Sequence, residues 1–206
     1  MRDARLYAIL DLGYVAVEDA VDKTRALLAG GADLLQLRAK GVDSVTIREV
    51  ALRLLPICRE AKVPFILNDN PILAADLDAD GVHIGQDDGS LLVTRAIIGE
   101  GKLIGRSTHS LDQARGALEE GFDYIGFGPL FPTPTKQGRP GIGTQDIVIM
   151  EQEVGSQIPA FCIGGIKRGN LDEVLAAGAR RVVIVSDLLT AEDTQAATAE
   201  VVGRLA

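Results

Sequence analysis

Cysteine and histidine are scarce in this chain, with two of each in 206 residues. Neither Cys58 nor Cys162 stands in a Cys-x-x-Cys or Cys/His spacing, so a structural zinc site has no ligand set to draw on. A reduced, cytoplasmic protein is the expectation. Positive charge is also in short supply: 21 Lys and Arg against 29 Asp and Glu leave a formal charge of −8 and a pI near 4.8. A broad nucleic-acid or anionic-membrane surface needs a basic field, so neither partner is expected, and an anionic ligand must meet a local basic cluster. Long apolar runs are missing as well. The opening MRDARLYAILDLGY is broken by Asp11, too soon for a signal h-region or a membrane span. Absent too is a Gly-x-Gly-x-x-Gly turn after the first strand, where LDLGYVAVEDA stands instead.

What is present is enough apolar residue, 47% of the chain, for one sizeable core, and residues 1–206 read as a single domain. Short runs of Ile, Val and Leu alternate with longer amphipathic stretches, the pattern of β/α units on a parallel sheet. The strands read as Leu6–Leu10, Leu34–Leu37, Phe65–Leu67, Gly81–Ile84, Leu103–Gly105, Tyr124–Phe127, Ala160–Ile163 and Val182–Val185. Helices are expected near Val17–Ala29, Ser44–Ala61, Pro71–Asp76, Leu91–Ile98, Leu111–Glu119, Gln145–Gln152, Asn170–Ala176 and Glu192–Leu205. A weak repeat, AGGADLLQLR, EEGFDYIGFG and AAGARRVVIV, puts glycine between a helix end and a strand each time. Eight units leave a closed (β/α)8 barrel or an open doubly wound sheet; without the dinucleotide fingerprint, the barrel is preferred.

Polar residues gather where such a barrel builds its active site, at the C-terminal strand ends. Gln36, Arg38 and Lys40 alternate along an extended segment, which would send an amide and two cations out on one face. They suit a phosphate, a forked grip from Arg and a point charge from Lys; the alternative is a solvated strand end. Asp69 and Asp88 end adjacent strands and suit either a shared divalent cation or helix capping, with Asp87 a second capping candidate. Gly164–Gly165 and Ser186 follow the last two strands, where many barrels bind phosphate, although Gly-Gly is also a tight turn. After the sixth strand comes GFGPLFPTPTKQGRPGIG, with four of the eight prolines and the Thr133, Thr135 and Lys136 cluster. So long a loop reads as an anion-binding segment or as a bare connection. His109 reads as positional, His83 as structural, and both cysteines as packing residues.

Together these stretches resemble thiamine-phosphate synthases. QLRAK at 36–40, LND at 67–69, DGVHIGQDD at 80–88, GRSTHS at 105–110, DYIGFGPLFPTPTK at 123–136, IGGI at 163–166 and VVIVS at 182–186 carry the resemblance in that family's order. It implies a (β/α)8 barrel that joins hydroxymethylpyrimidine diphosphate to a thiazole phosphate. It also implies that Gln36, Arg38, Lys40 and Asn68 hold the pyrimidine diphosphate, with Asp69 and Asp88 as Mg²⁺ ligands and Ser107 against the pyrimidine. Thr133 and Thr135 would contact the thiazole phosphate, Lys136 would lie between the two substrates' phosphates, and Gly165 with Val185 and Ser186 would complete the thiazole site. Lys136, Arg38 and Lys40 are then the groups that stabilise the leaving diphosphate. Departures are a start without Thr before Asp11, Asn70 where Arg is frequent, and Arg106, a feature shared with related thiazole tautomerases. A metal-independent tautomerase and a non-catalytic thiamine-phosphate-binding barrel are the alternatives. Oligomeric state is left open, a homo-oligomer included.

Overall fold

The computed structural model describes residues 1–133 and 141–206. Eight parallel strands close a barrel in sequence order. They are β1 (Leu6–Asp11), β2 (Leu34–Arg38), β3 (Phe65–Asn68), β4 (Gly81–Ile84), β5 (Leu103–Thr108), β6 (Tyr124–Phe127), β7 (Ala160–Cys162) and β8 (Val182–Ile184). β8 returns to β1 with Leu6 opposite Val182 and Tyr7 opposite Val183, and this pairing closes the ring. The helices that cover it are α1 (Ala20–Ala29), α2 (Ser44–Ala61), α3 (Pro71–Asp76), α4 (Leu91–Ile98), α5 (Leu111–Glu120), α6 (Ile147–Met150), α7 (Leu171–Ala176), α8 (Ser186–Leu189) and α9 (Thr194–Leu205).

The three repeat glycines do what their position predicts. Gly31, Gly121 and Gly178 take φ of 95°, 93° and 100°, left-handed values that stop one helix and launch the next strand. Aspartates then pin neighbouring strands. Asp33, Asp80 and Asp123 each accept a hydrogen bond from the first amides of the preceding strand, at Leu6 (2.9 Å), Phe65 (2.8 Å) and Ile104 (2.8 Å).

Three expected helices differ, the first of them α1, which begins at Ala20 rather than Val17. The Gln145–Gln152 segment gives the short α6 and then a π-helical turn, Glu151–Gly155. Glu151 is buried there, its carboxylate accepting from the Arg180 amide (3.0 Å) and lying over Gly155, and a widened turn accommodates it. The last helix begins at Thr194 because Asp193 caps it, accepting from the Ala196 amide (2.9 Å). Four residues before that, α8 stands by itself, too short to show helical periodicity in sequence.

Strand alternation divides the core in two. Leu6, Ala8, Leu10, Leu35 and Leu37 face outward into the layer beneath the helices, while Tyr7, Leu34, Ile66, Tyr124, Phe161 and Val183 fill the barrel interior. The aromatic rings of this plug meet edge to face, with Tyr7 and Phe161 centroids 5.3 Å apart. Room for Tyr124 comes from Gly105: a Cβ at that position would sit 2.1 Å from the Tyr124 ring. Gly105→Ala is therefore expected to overpack the interior and cost about 1–3 kcal/mol, read as a lowered urea midpoint. A wild-type midpoint would mean that the ring does not rest on that glycine.

Candidate active site

Above the apolar plug, the next inward position is polar or small from β2 to β6, while β1 and the residues just after β7 and β8 present Ile9, Ile163 and Val185. Gln36 and Arg38 from β2, Asn68 from β3, His83 from β4, Ser107 from β5 and Gly126 from β6 line one cavity. Thr133, Gly164, Gly165, Val185 and Ser186 complete its wall from the segments after β6, β7 and β8. The expected site residues thus converge, with three exceptions at the rim and two outside the described residues. Lys40, Asp69 and Asp88 do not line the cavity. Thr135 and Lys136 lie outside the described residues.

Gln36 and Arg38 share the inward face as their alternation predicts, but β2 ends at Arg38, and Lys40 lies beyond the ladder, largely exposed. Its ammonium pairs with Asp69 at 3.3 Å. Arg38 is held from behind by Asp11, 2.5 Å away and 1% exposed, which also accepts from the Gly13 amide (2.9 Å). Sequence reading had no role for Asp11. Its signal is position: it continues the inward set Tyr7, Ile9, Asp11 along β1, which puts it opposite Arg38.

Asp69 and Asp88 do not cap helices. The N-caps of α3 and α4 are Asn70, which accepts from the Leu73 amide (3.0 Å), and Ser90, which accepts from the Val93 amide (3.3 Å). Asp69 sits in a left-handed conformation, φ 58°, with its amide given to the His83 carbonyl (2.9 Å). Burial pushes its carboxyl above the ordinary 3.8, and repulsion from Asp88 adds to that, against the pull of Lys40. Asp88 accepts from the Gly85 amide at 2.7 Å. Two neighbouring carboxylates that repel each other suit a hard divalent cation whose other ligands come from water or phosphate. Among the described residues no cluster of three or more His, Cys, Asp or Glu forms around this pair.

On the opposite side, Gly164 and Gly165 adopt φ of 97° and 67°. A side chain at Gly164 would strike Pro129 at 2.3 Å, because the segment after β6 lies directly on the β7 end, with Leu130 and Phe131 donating to the Ile163 (2.8 Å) and Gly164 (3.0 Å) carbonyls. The Gly-Gly pair is thus a tight turn that also walls the cavity. Ser186 opens α8 beside it. His109 is positional as expected: its Nδ1 bonds the Gly128 carbonyl and fixes the start of the segment, while Ser110 caps α5. Cys58 and Cys162 are buried in packing, with the Cys58 thiol pushed up to about 12.

The family described as thiamine monophosphate synthase matches residues 6–188. The chain belongs to that family. A thiamine-phosphate synthase of Thermus thermophilus is 45% identical over 182 residues, which are 88% of this chain and 87% of that protein. One of Streptomyces avermitilis is 42% identical over 206 residues, 100% of this chain and 95% of its own. Among solved structures, a thiamine phosphate pyrophosphorylase from Pyrococcus furiosus superposes with a TM-score of 0.88 at 32% identity, covering 99% of this chain and 96% of that one. Membership in the thiamine monophosphate synthase family makes the chain a transferase acting on small molecules. No described helix is long and apolar enough to cross a membrane.

The raised pKa of Asp69 predicts a stability effect with a definite sign. Folding gains nothing from this group below pH 3.8, where it is protonated in both states, and loses progressively as pH rises through its raised folded value. Asp69→Asn should therefore raise the Tm of the metal-free protein at neutral pH, with the gain vanishing in acid; a lowered Tm at pH 7 would contradict the repulsion.

Proposed function

We propose that this chain joins hydroxymethylpyrimidine diphosphate to thiazole phosphate, giving thiamine phosphate and diphosphate. The observation that supports the reading is one cavity with two unlike sides, each of which would suit an anion. Arg38, with Lys40, Asp69 and Asp88 at the rim, stands on the β2–β4 side, and the Gly165 turn with Ser186 stands at β7 and β8. Two phosphorylated substrates fit that division, with neutral Gln36, Asn68 and Ser107 between them. Thr133 extends the thiazole-phosphate side, and Thr135 is assigned there with it.

The reaction breaks the bond between the pyrimidine methylene and its diphosphate oxygen, and the electron pair leaves with diphosphate. The thiazole nitrogen donates its pair to the methylene carbon, forming the new C–N bond. No protein nucleophile is required, which agrees with two buried cysteines. Arg38 and Lys40 offset the negative charge that develops on the departing oxygens, and Lys136 is assigned to the junction between the two phosphates. Asp69 and Asp88 would hold Mg²⁺, which supplies further charge neutralisation to the diphosphate. The apolar Ile163, Ile166 and Val185 side chains in the wall help to exclude water from the reacting carbon. Both substrates are small, charged and water-soluble, which suits a cytoplasmic enzyme.

Arg106, the residue shared with tautomerases, points away from this chemistry. Its guanidinium donates to the Gly89 (2.8 Å) and Gln86 (3.2 Å) carbonyls and covers the Phe122 ring at 5.2 Å, so it ties the β4–α4 segment to the barrel's outside.

An assay with both substrates, with and without Mg²⁺, is expected to release diphosphate only when all three are present. Release without metal, or isomerisation of a thiazole carboxylate phosphate with no second substrate, would overturn the reading. Lys136→Ala is expected to lower turnover by about a hundredfold with the fold intact; near wild-type turnover at saturation would remove the lysine from the mechanism.

A further inference from the structure

A single hydrogen-bonded file of side chains crosses the barrel interior, and its members come from β2, β1, β6, β4 and β5 in turn. Gln36 Nε2 bonds the Tyr7 hydroxyl. The Tyr7 and Tyr124 hydroxyls are 3.1 Å apart. Tyr124 is 3.2 Å from Nδ1 of His83, and Nε2 of the same ring is 3.0 Å from the Ser107 hydroxyl. All but Tyr124 face the cavity, and Tyr124 is fully buried. Burial raises the pKa of both phenols, so each keeps its one proton.

That single proton gives the file a direction. An amide nitrogen only donates, so the Tyr7 oxygen accepts from Gln36, which leaves its own O–H for Tyr124. Tyr124 then has its proton left for Nδ1 of His83. A neutral imidazole that accepts at Nδ1 carries its proton on Nε2, and that N–H is directed at the Ser107 oxygen. Ser107 consequently receives a hydrogen bond from the barrel and has its own O–H to offer to the cavity.

We propose that His83 is a positioning residue: held by Tyr124 as the Nε2–H form, it fixes Ser107 as a hydrogen-bond donor, so the site selects a substrate with a ring-nitrogen acceptor at that point. The identity of the ring rests on the pyrimidine substrate assigned above, whereas the direction of the file does not. A pyrimidine has two such nitrogens in its ring, and replacing the one that meets Ser107 by C–H leaves the hydroxyl without its acceptor.

Two measurements test this together. In the ¹⁵N-labelled wild-type protein, with His109→Gln used to assign the two histidine signals, His83 is expected to show a protonated Nε2 and a bare Nδ1. In steady-state kinetics, one of the two monodeaza analogues of the pyrimidine diphosphate is expected to lose about tenfold or more in kcat/KM with wild type. That penalty should disappear in Ser107→Ala and shrink in Tyr124→Phe, while the KM for thiazole phosphate stays unchanged in both. A protonated Nδ1 overturns the proposal, and so does equal discrimination by wild type, Ser107→Ala and Tyr124→Phe. A merely structural role for the Tyr124–His83 contact would make Tyr124→Phe lower activity with all analogues alike. Should Tyr124→Phe not fold, the tautomer and the Ser107→Ala comparison decide. A wild-type protein inactive with both substrates overturns the reaction assigned above, and the tautomer alone then decides the role of His83.

Discussion

Polar groups inside a parallel barrel must be paired, because an unpartnered one costs on the order of 1–3 kcal/mol and water has little access there. The interior of this barrel meets that constraint by linking its polar side chains to one another. Gln36, Tyr7, Tyr124, His83 and Ser107 satisfy each other in sequence across five strands, and Asp11 pairs with Arg38. The same linkage that makes burial tolerable also fixes the side chains in place before substrate arrives. An active site on strand ends thereby gains its preorganisation from the requirement that the core be satisfied.

Charge is organised by the same economy. The chain as a whole is acidic, yet the β2 end carries Arg38 and Lys40, each steadied by an aspartate. The two pairings differ in kind. Asp11 is buried and holds Arg38 directed into the cavity, whereas a largely exposed Lys40 meets the half-buried Asp69 at the rim, where an ion pair is weaker. A rigid fork beside a weaker ion pair is well matched to a group that binds as diphosphate and departs as diphosphate.

The barrel and most of its mouth could be read from residues because strand alternation has a period of two and helix stops use glycine. Asn68 and Ser107 come from the family resemblance, whereas Gln36 and Arg38 follow from that regularity. It fails where the regularity ends: Lys40 was expected on the face of Gln36 and Arg38, but the strand stops before it. Capping left Asp69 and Asp88 ambiguous, and only the positions of Asn70 and Ser90 remove that reading. Tyr7 and Tyr124 look like ordinary core aromatics in sequence, since their hydroxyl partner lies 117 residues away. Asp11 has no role that the sequence shows, and His83 reads there only as structural, because their partners come from other strands. α8 is four residues long and leaves no periodic trace.

In the proposed reaction the rim carboxylates and the β2 cations together would form a metal-dependent clamp for diphosphate. Calorimetric titration of inorganic diphosphate into the protein, with and without Mg²⁺, tests it most directly when wild type is compared with the Asp69→Asn/Asp88→Asn double variant. The account predicts that Mg²⁺ strengthens diphosphate binding to wild type and has no effect on the double variant. Equal strengthening in both proteins would contradict it.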